Sequence, residues 1–229
     1  MSFSQLHLVM EWGWAPWLMN IYFHGYKLKL MNWQEFITLL LLSTAASFTP
    51  GPNTTLSTAL AANYGLKRAM KFVFAVPVGW GVLFTLCAAG IGALVVQVPV
   101  LRQAITWLGC GYLLWLAWRL ATTRTLSQVN TKRLDITFWQ GVMLQFLNIK
   151  AWMLALTVVA GWLAGRPDAL LRFAQIFPLM LLFGFASNLA YALVGSLLRD
   201  WLAQNSRLLW FNRLMATALV ATAVWMFFL

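Results

Sequence analysis

The sequence Pro50-Gly51-Pro52-Asn53 interrupts an apolar stretch that would otherwise form one long helix. Neither Phe36–Thr49 before it nor Thr54–Ala62 after it includes a charged residue. The two prolines remove two backbone donors, and the glycine between them loosens the chain. At membrane depth, a break of this kind is tolerated only where it is buried in protein or lines a wet cavity. The stretch therefore predicts a broken helix whose unpaired N–H and C=O groups face a substrate site.

The composition indicates an integral membrane protein. Of the 229 residues, 62% are hydrophobic and 9% are charged, and the mean hydropathy is +0.75, whereas a soluble domain has about 25% charged residues. The formal net charge is +11. Because the basic residues lie between apolar segments and form no long run, they indicate loops facing anionic lipid headgroups. Membrane lipid is an expected partner, and nucleic acid is excluded.

Six apolar segments are long enough to cross a membrane, since a span needs roughly 20 apolar residues. We therefore predict an all-α polytopic membrane protein with six transmembrane helices. The predicted spans cover about 36–62, 72–96, 101–121, 138–164, 169–197 and 208–229.

Residues 1–30 differ in composition from the rest of the chain. A secretory signal opens with basic residues, whereas the first basic residue here is Lys27. We interpret 1–30 as an N-terminal extension that arises from an upstream mis-start, with the native start at Met31. The alternative is a short element at the membrane interface.

The loops between the predicted spans differ in charge. Because cytoplasmic loops are enriched in Lys and Arg, the odd-numbered loops are predicted to be cytoplasmic and both termini to lie outside. Lys27 and Lys29 argue weakly against this orientation. The odd loops include Lys67, Arg68, Lys71, Arg119, Arg124, Lys132, Arg133, Arg199, Arg207 and Arg213, whereas the even loops include Arg102, Arg166 and Arg172.

A weak internal repeat aligns the stretch 48–52 with the stretch 146–150. With three spans in each half, the halves would have opposite orientations in the membrane. This is the inverted-repeat plan of many secondary transporters, in which the substrate site lies between the halves near the midplane. The halves would cover about 31–125 and 136–229.

Lys150 lies deep in the fourth apolar segment, where an ammonium costs roughly 3 kcal/mol on insertion scales. We therefore predict that it faces a polar interior or that the helix is broken there. Gln145 and Asn148 lie three residues apart, on one face of the same helix. The alternative, a lysine that snorkels to the membrane surface, is disfavoured by the distance of Lys150 from both ends of the segment.

Asn53 and Thr54 open the second half of the first segment. Amides at a helix N-terminus can hold a carboxylate, and the unwound carbonyls before them can hold an ammonium, so the break suits a zwitterion. The alternative is a kink filled by neighbouring side chains. Asn188, in the middle of the fifth segment, is either a functional residue or a contact between helices. The predicted substrate-binding residues are Pro50, Gly51, Pro52, Asn53, Thr54, Gln145, Asn148, Lys150 and Asn188.

Motifs for enzymatic chemistry are missing from the sequence, which has no HExxH, GxSxG, Walker loop or intramembrane acid pair. Cys87 and Cys110 lie inside apolar segments and are interpreted as packing residues. His7 and His24 show no metal-ligand spacing. We therefore expect no enzyme activity, no cofactor and no metal site.

Four motifs occur in order along the chain: Pro50–Asn53, Gly65-Leu-Lys-Arg68, Gly109-Cys-Gly-Tyr-Leu-Leu-Trp-Leu-Ala-Trp118, and Phe138-Trp-Gln-Gly141 leading to Asn148-Ile-Lys-Ala151. Together they resemble the LysE/RhtB family of amino-acid exporters over residues 31–229. The resemblance implies a LysE-type transporter domain that exports a small amino-acid substrate from the cytoplasm across the bacterial inner membrane by proton antiport. It does not decide whether the protein forms a homo-oligomer.

One position departs from the family pattern, which usually has Asn-Pro-Lys in the fourth span. Ile149 replaces the proline here. The sequence therefore does not decide whether the second half is broken as sharply as the first. The stretches Leu144–Lys150 and Leu113–Arg119 are similar to the cysteine/O-acetylserine exporter branch, which also lacks that proline. A passive small-solute channel and a non-transporting membrane assembly protein are the alternatives to an exporter.

Overall fold

The computed structural model describes residues 20–23, 26–29, 31–123, 136–204 and 206–228. His7 and His24 lie outside the described residues, as do most of the third predicted loop and its cations Arg124, Lys132 and Arg133. Strands β1 (Asn20–Phe23) and β2 (Tyr26–Lys29) pair antiparallel. From Trp33 onward every described element is a helix. These are α1 (Trp33–Phe48), α2 (Pro52–Tyr64), α3 (Leu66–Ala88), α4 (Ile91–Gln97), α5 (Pro99–Ala121), α6 (Phe138–Leu147), α7 (Ile149–Val158) with a π-helical continuation (Val159–Leu163), α8 (Ala169–Leu202), and α9 (Arg207–Trp225) with a final 3-10 turn (Met226–Phe228).

The starts of α1 and α6 follow from local sequence. At α1, Asn32 Oδ1 accepts a hydrogen bond from the amide of Glu35 (2.8 Å), and the Glu35 carboxylate accepts from the amide of Asn32 (3.4 Å). Thr137 and Gln140 form the same reciprocal pair at the start of α6. Each pair satisfies two of the backbone donors that a helix start leaves without a partner.

The number of membrane spans is supported only in part. Among the described residues, three helices are long and apolar enough to cross a membrane: α3, α8, and α9 with its final turn. Two bent pairs, α4–α5 and α6–α7, bring the number to five if each pair is one span. The pair α1–α2 is not among these candidate spans. The sixth span and the inverted repeat remain predictions.

The second predicted span, 72–96, has shifted boundaries in the structure. Helix α3 begins earlier, at Leu66, and ends at Ala88, and Gly90 follows with a φ of 95°. Because only glycine adopts this left-handed conformation without steric strain, the chain turns there. Residues 91–97 form α4, which meets α5 at an angle of 94° just before Pro99, a residue that favours the first position of a helix.

Helix α8 packs against both α2 and α3. It runs antiparallel to α3, since Phe84 stacks on Phe173 and Phe74 packs against Phe185. It runs parallel to α2, since Ser57 bonds Asn188 and, further along both helices, a Cβ added to Gly65 would meet the Arg199 side chain. The two helices are very close, because a Cβ added to Gly195 would lie 2.2 Å from the main-chain oxygen of Thr58. Glycine is therefore required at this crossing, as it is in many close contacts between membrane helices.

A buried amide pair joins α2 to α9. The Nδ2 atom of Asn63 donates to Oδ1 of Asn212 (2.8 Å), and the reverse hydrogen bond is 3.0 Å long. Asn212 Nδ2 also donates to the main-chain oxygen of Thr123 (3.1 Å). Hydrogen bonds of this type hold helices together where the surroundings offer no water. The pair lies at the C-terminal end of α2, away from the break at its start.

Candidate functional site

The first break is present at the predicted position. Thr49 and Gly51 are both extended, and α2 begins at Pro52. The Gly51 backbone is held by α2 itself: its amide donates to Thr54 Oγ1 (3.0 Å) and its oxygen accepts from the amide of Thr55 (3.0 Å). Amides in the first turn of a helix have no carbonyl one turn earlier, so those of Asn53 and Thr54 have no acceptor within α2.

A second break is present at Asn148, although Ile149 stands where the family has proline. Asn148 is extended (φ −97°, ψ 100°), and α6 and α7 meet there at 69°. Its Oδ1 accepts a hydrogen bond from the amide of Lys150 (3.2 Å), and the indole of Trp152 donates to the main-chain oxygen of Phe146 (2.9 Å). An asparagine cap therefore stabilises the helix start without proline.

The two breaks meet. Lys150 Nζ donates to the main-chain oxygen of Thr49, at the C-terminal end of α1, over 3.0 Å. The hydroxyl of Tyr191 donates to the oxygen of Phe48 (2.9 Å). The carbonyls that were expected to receive a substrate ammonium therefore already contact side chains from the second half. A positive charge there also complements the negative end of the helix dipole.

The side chain of Asn53 is hydrogen-bonded to the side chain of Gln145. The two side chains exchange hydrogen bonds, from Asn53 Nδ2 to Gln145 Oε1 (2.8 Å) and from Gln145 Nε2 to Asn53 Oδ1 (3.1 Å). Gln145 also donates to the main-chain oxygen of Gly141 (3.1 Å), is fully buried, and is not among the residues that line the cavity. Its place is behind Asn53, where it holds that side chain in position.

Asn188 connects helices and also lines the cavity. Its Oδ1 accepts from the hydroxyl of Ser57 on α2 (2.9 Å), and its Nδ2 donates to the main-chain oxygen of Gly184 (2.8 Å). The contact between helices is therefore present, and a functional role for Asn188 stays a prediction. An amide oxygen has two lone pairs, so the contact with Ser57 leaves one acceptor position at Asn188.

A cavity lies between the two breaks. Its volume open to the centres of water molecules is about 70 Å³, and one water needs roughly 10–15 Å³ by this measure. The space therefore suits a handful of non-hydrogen atoms, as in a small amino acid. Lys150 is the one ionisable side chain among its lining residues. These include Ser47, Thr49, Gly51, Pro52, Asn53, Thr54, Val76, Pro77, Trp80, Asn148, Lys150, Leu154, Met180, Ser187 and Asn188.

Trp80 lines this cavity and was not predicted from the sequence. Its side chain is 7% exposed and stacks on Phe84, with ring centroids 4.9 Å apart. Its indole Nε1 has no acceptor among the residues that the structure describes. A tryptophan in an apolar run usually serves packing or the membrane interface, so no sequence signal marked it.

An ion cluster lies beyond the cavity, towards the start of α1. Glu35 contacts Arg166 (2.9 Å) and Arg172 (3.0 Å), and Arg172 Nε contacts Asp168 (2.9 Å). Burial raises the pKa of Glu35, which precedes the first predicted span, but the hydrogen bond and charge of Arg172 outweigh this and hold its pKa below the ordinary value. Burial also raises the pKa of Asp168, in the loop before α8. The hydrogen bond and charge of Arg172 outweigh this effect, so the pKa of Asp168 is lowered as well.

Comparison with known proteins confirms the resemblance seen in the motifs. Residues 44–229 match the sequence profile of the LysE type translocators. The cysteine/O-acetylserine efflux protein of Salmonella typhimurium (strain LT2) is 30% identical over 182 residues, which is 80% of this chain and 92% of the relative. The protein of the same description from Escherichia coli O1:K1 is 30% identical over 183 residues, with the same coverage of both chains. The counterpart from Escherichia coli K12 is 29% identical over 182 residues. No solved structure gives a significant match.

Proposed function

Because the chain belongs to the LysE type translocator family, and is thus a transporter and not an enzyme, we propose that it exports a small neutral amino acid or derivative. The substrate class is cysteine/O-acetylserine-like, in line with the description of its relatives. We place the protein in the bacterial inner membrane, with its odd-numbered loops in the cytoplasm. The proposal includes proton antiport as the driving force.

One observation carries this proposal: two helix breaks meet at a small cavity. Lys150 from the second break contacts the end of α1 at the first, and the start of α2 lines the same space. A site built from helix ends offers oriented backbone dipoles to both charged groups of a zwitterion. The volume of the cavity favours a small solute.

The predicted residues have distinct roles in the proposed site. The substrate carboxylate binds the ammonium of Lys150, which has two donors left beyond Thr49, and the first-turn amides of α2. The substrate ammonium binds the remaining lone pairs of the Asn148 and Asn188 side-chain oxygens. Gln145 acts through Asn53. The proposed set is Pro50, Gly51, Pro52, Asn53, Thr54, Gln145, Asn148, Lys150 and Asn188.

Proton coupling is proposed because Lys150 is the one ionisable side chain among the described residues that line the cavity. An ammonium that releases its proton when the substrate leaves, and regains it before the next cycle, would link proton movement to export. Intramembrane ionisable residues often serve such relays.

The test is efflux of a substrate panel from vesicles loaded with cysteine, O-acetylserine, serine and lysine. Export of the small neutral substrates should be saturable and should stop when a protonophore removes the pH gradient. Linear, gradient-independent flux would instead support the passive channel. No flux of any substrate would favour the assembly protein.

A further inference from the structure

The indole N–H of Trp80 is a buried donor that lacks an acceptor. The side chain is more than nine-tenths buried and belongs to the cavity wall, and Nε1 finds no acceptor in the described part of the chain. Buried polar groups in native proteins almost always have a partner, and one left without a partner is costly. A donor of this kind at a ligand cavity points to an acceptor supplied by the ligand.

Two contacts show which polar groups lie at the same height along the helix bundle. Asn188 bonds Ser57 on α2, and since α2 and α8 run parallel, Asn53, one turn before Ser57, lies level with Gly184, one turn before Asn188. A Cβ added to Gly184 would lie 3.9 Å from Pro77. The start of α2 is therefore level with Pro77 of α3.

Trp80 lies three residues further along α3 than Pro77, which corresponds to a rise of about 4.5 Å along the helix axis. Because α3 and α8 are antiparallel, Met180 lies on the same side of Gly184. Trp80, Met180 and Leu154 thus surround the part of the cavity beyond the backbone groups. Along the axis of the bundle, Trp80 is therefore offset by about 4.5 Å from the level of the start of α2.

We propose that Trp80 is the residue that recognises the substrate side chain: its indole N–H donates a hydrogen bond to an acceptor atom about one short side chain away from the substrate's Cα. Such an acceptor is present in an O-acyl ester and is missing from an alkyl chain of equal length. The proposal rests on the proposed function, because it requires a zwitterionic amino acid in the cavity. The aromatic body of Trp80, stacked on Phe84, also limits the length of the side chain.

The test compares two ligands of matched side-chain length, O-acetylserine and norleucine, in the wild-type protein and in Trp80→Phe. The phenyl ring keeps an aromatic side chain in the cavity wall and removes the donor, and norleucine reports how the smaller ring affects both ligands. Vesicle efflux gives the apparent affinity, and the ligand-dependent rise in Tm of the detergent-purified protein gives binding without transport. The matched control is Trp107→Phe, at an exposed position outside the cavity lining.

We expect Trp80→Phe to weaken the apparent affinity for O-acetylserine roughly threefold to tenfold more than the apparent affinity for norleucine, the effect of one lost hydrogen bond. Trp107→Phe should leave the affinity for both ligands at the wild-type value. Trp80→His, which keeps a ring N–H, should recover part of the preference. Equal weakening of both ligands, or no change, would overturn the role of Trp80 while leaving the exporter in place. Absence of efflux and binding in the wild-type protein would overturn the proposed function, and the role of Trp80 with it.

Discussion

Lys150 Nζ and the main-chain oxygen of Thr49 lie 3.0 Å apart, although 101 residues separate them in the chain. The contact joins the two broken helices at their breaks. It gives the end of α1 a charged donor and gives the half-buried ammonium of Lys150 an acceptor. Each break is thus stabilised by a group from the other.

Replacement of Lys150 by methionine should abolish export. The change keeps the length of the side chain and removes the only ionisable group among the described cavity-lining residues, so the efflux rate should fall at least about tenfold, the effect of 1.4 kcal/mol. Vesicle efflux measures the result, and immunoblotting of membranes checks the amount of protein. Lys71→Met, at an exposed position on α3, is the control. Normal export by Lys150→Met would refute the assigned site.

Replacement of Pro50 and Pro52 by alanine should close the first break. It restores two backbone donors and removes residues that cost about 3 kcal/mol each inside a helix. A continuous helix would pair its own backbone groups, and export should collapse while the protein reaches the membrane in normal amount. Pro178→Ala, inside α8 and outside the cavity lining, is the control. If the double variant exports at the normal rate, the break serves packing alone.

Gly109 and Gly111 on α5 should differ in their tolerance of alanine. A Cβ at Gly109 would lie 2.1 Å from the main-chain oxygen of Leu147, next to the second break, whereas a Cβ at Gly111 meets nothing within 4 Å. Gly109→Ala should therefore cost roughly 1–3 kcal/mol, as overpacking does, and lower the Tm in detergent. Gly111→Ala should leave the Tm near the wild-type value. Equal Tm values for the two variants would contradict the packing of α5 on α6.

The Glu35–Arg172–Asp168 cluster should stabilise the fold in a pH-dependent way. The pKa values of both acids are lowered, so their contribution is fully present above the ordinary carboxyl pKa of about 4 and is lost as the pH falls through the lowered values. The Tm difference between the wild-type protein and Glu35→Gln should be largest near neutral pH and should shrink in acid. A difference that stays constant down to the lowest pH would show that packing, not charge, accounts for it.

The orientation of the protein remains to be tested by labelling. In a variant without Cys87 and Cys110, a cysteine at Ser127, outside the described residues, should resist an impermeant maleimide in intact cells, because the basic third loop is predicted to be cytoplasmic. A cysteine at Ala164, exposed between α7 and α8, should react and serves as the control. The opposite pattern would reverse the predicted topology.

The first break could be predicted from the sequence because proline has no amide hydrogen, whatever its surroundings. The second could not be predicted from residue types alone, since Ile149 is compatible with a continuous helix and the cap depends on the Asn148 side chain. The 94° bend before Pro99 was missed because α4 is apolar and looked like the end of a span. The Asn53–Gln145 pair and the position of Trp80 depend on how helices pack, which a single sequence does not encode locally.

The backbone contact between Gly195 and Thr58 has a mechanical consequence. With no side chain between the helices at that point, α2 cannot slide along α8 without a collision between backbone atoms. Asn188, about two turns before Gly195 on α8, also bonds Ser57, the residue directly before Thr58 on α2. The inner parts of α2 and α8 therefore behave as one rigid strut, and any movement that opens the cavity must turn this strut as a whole or bend the chain at its ends, at Gly51 and near Gly184.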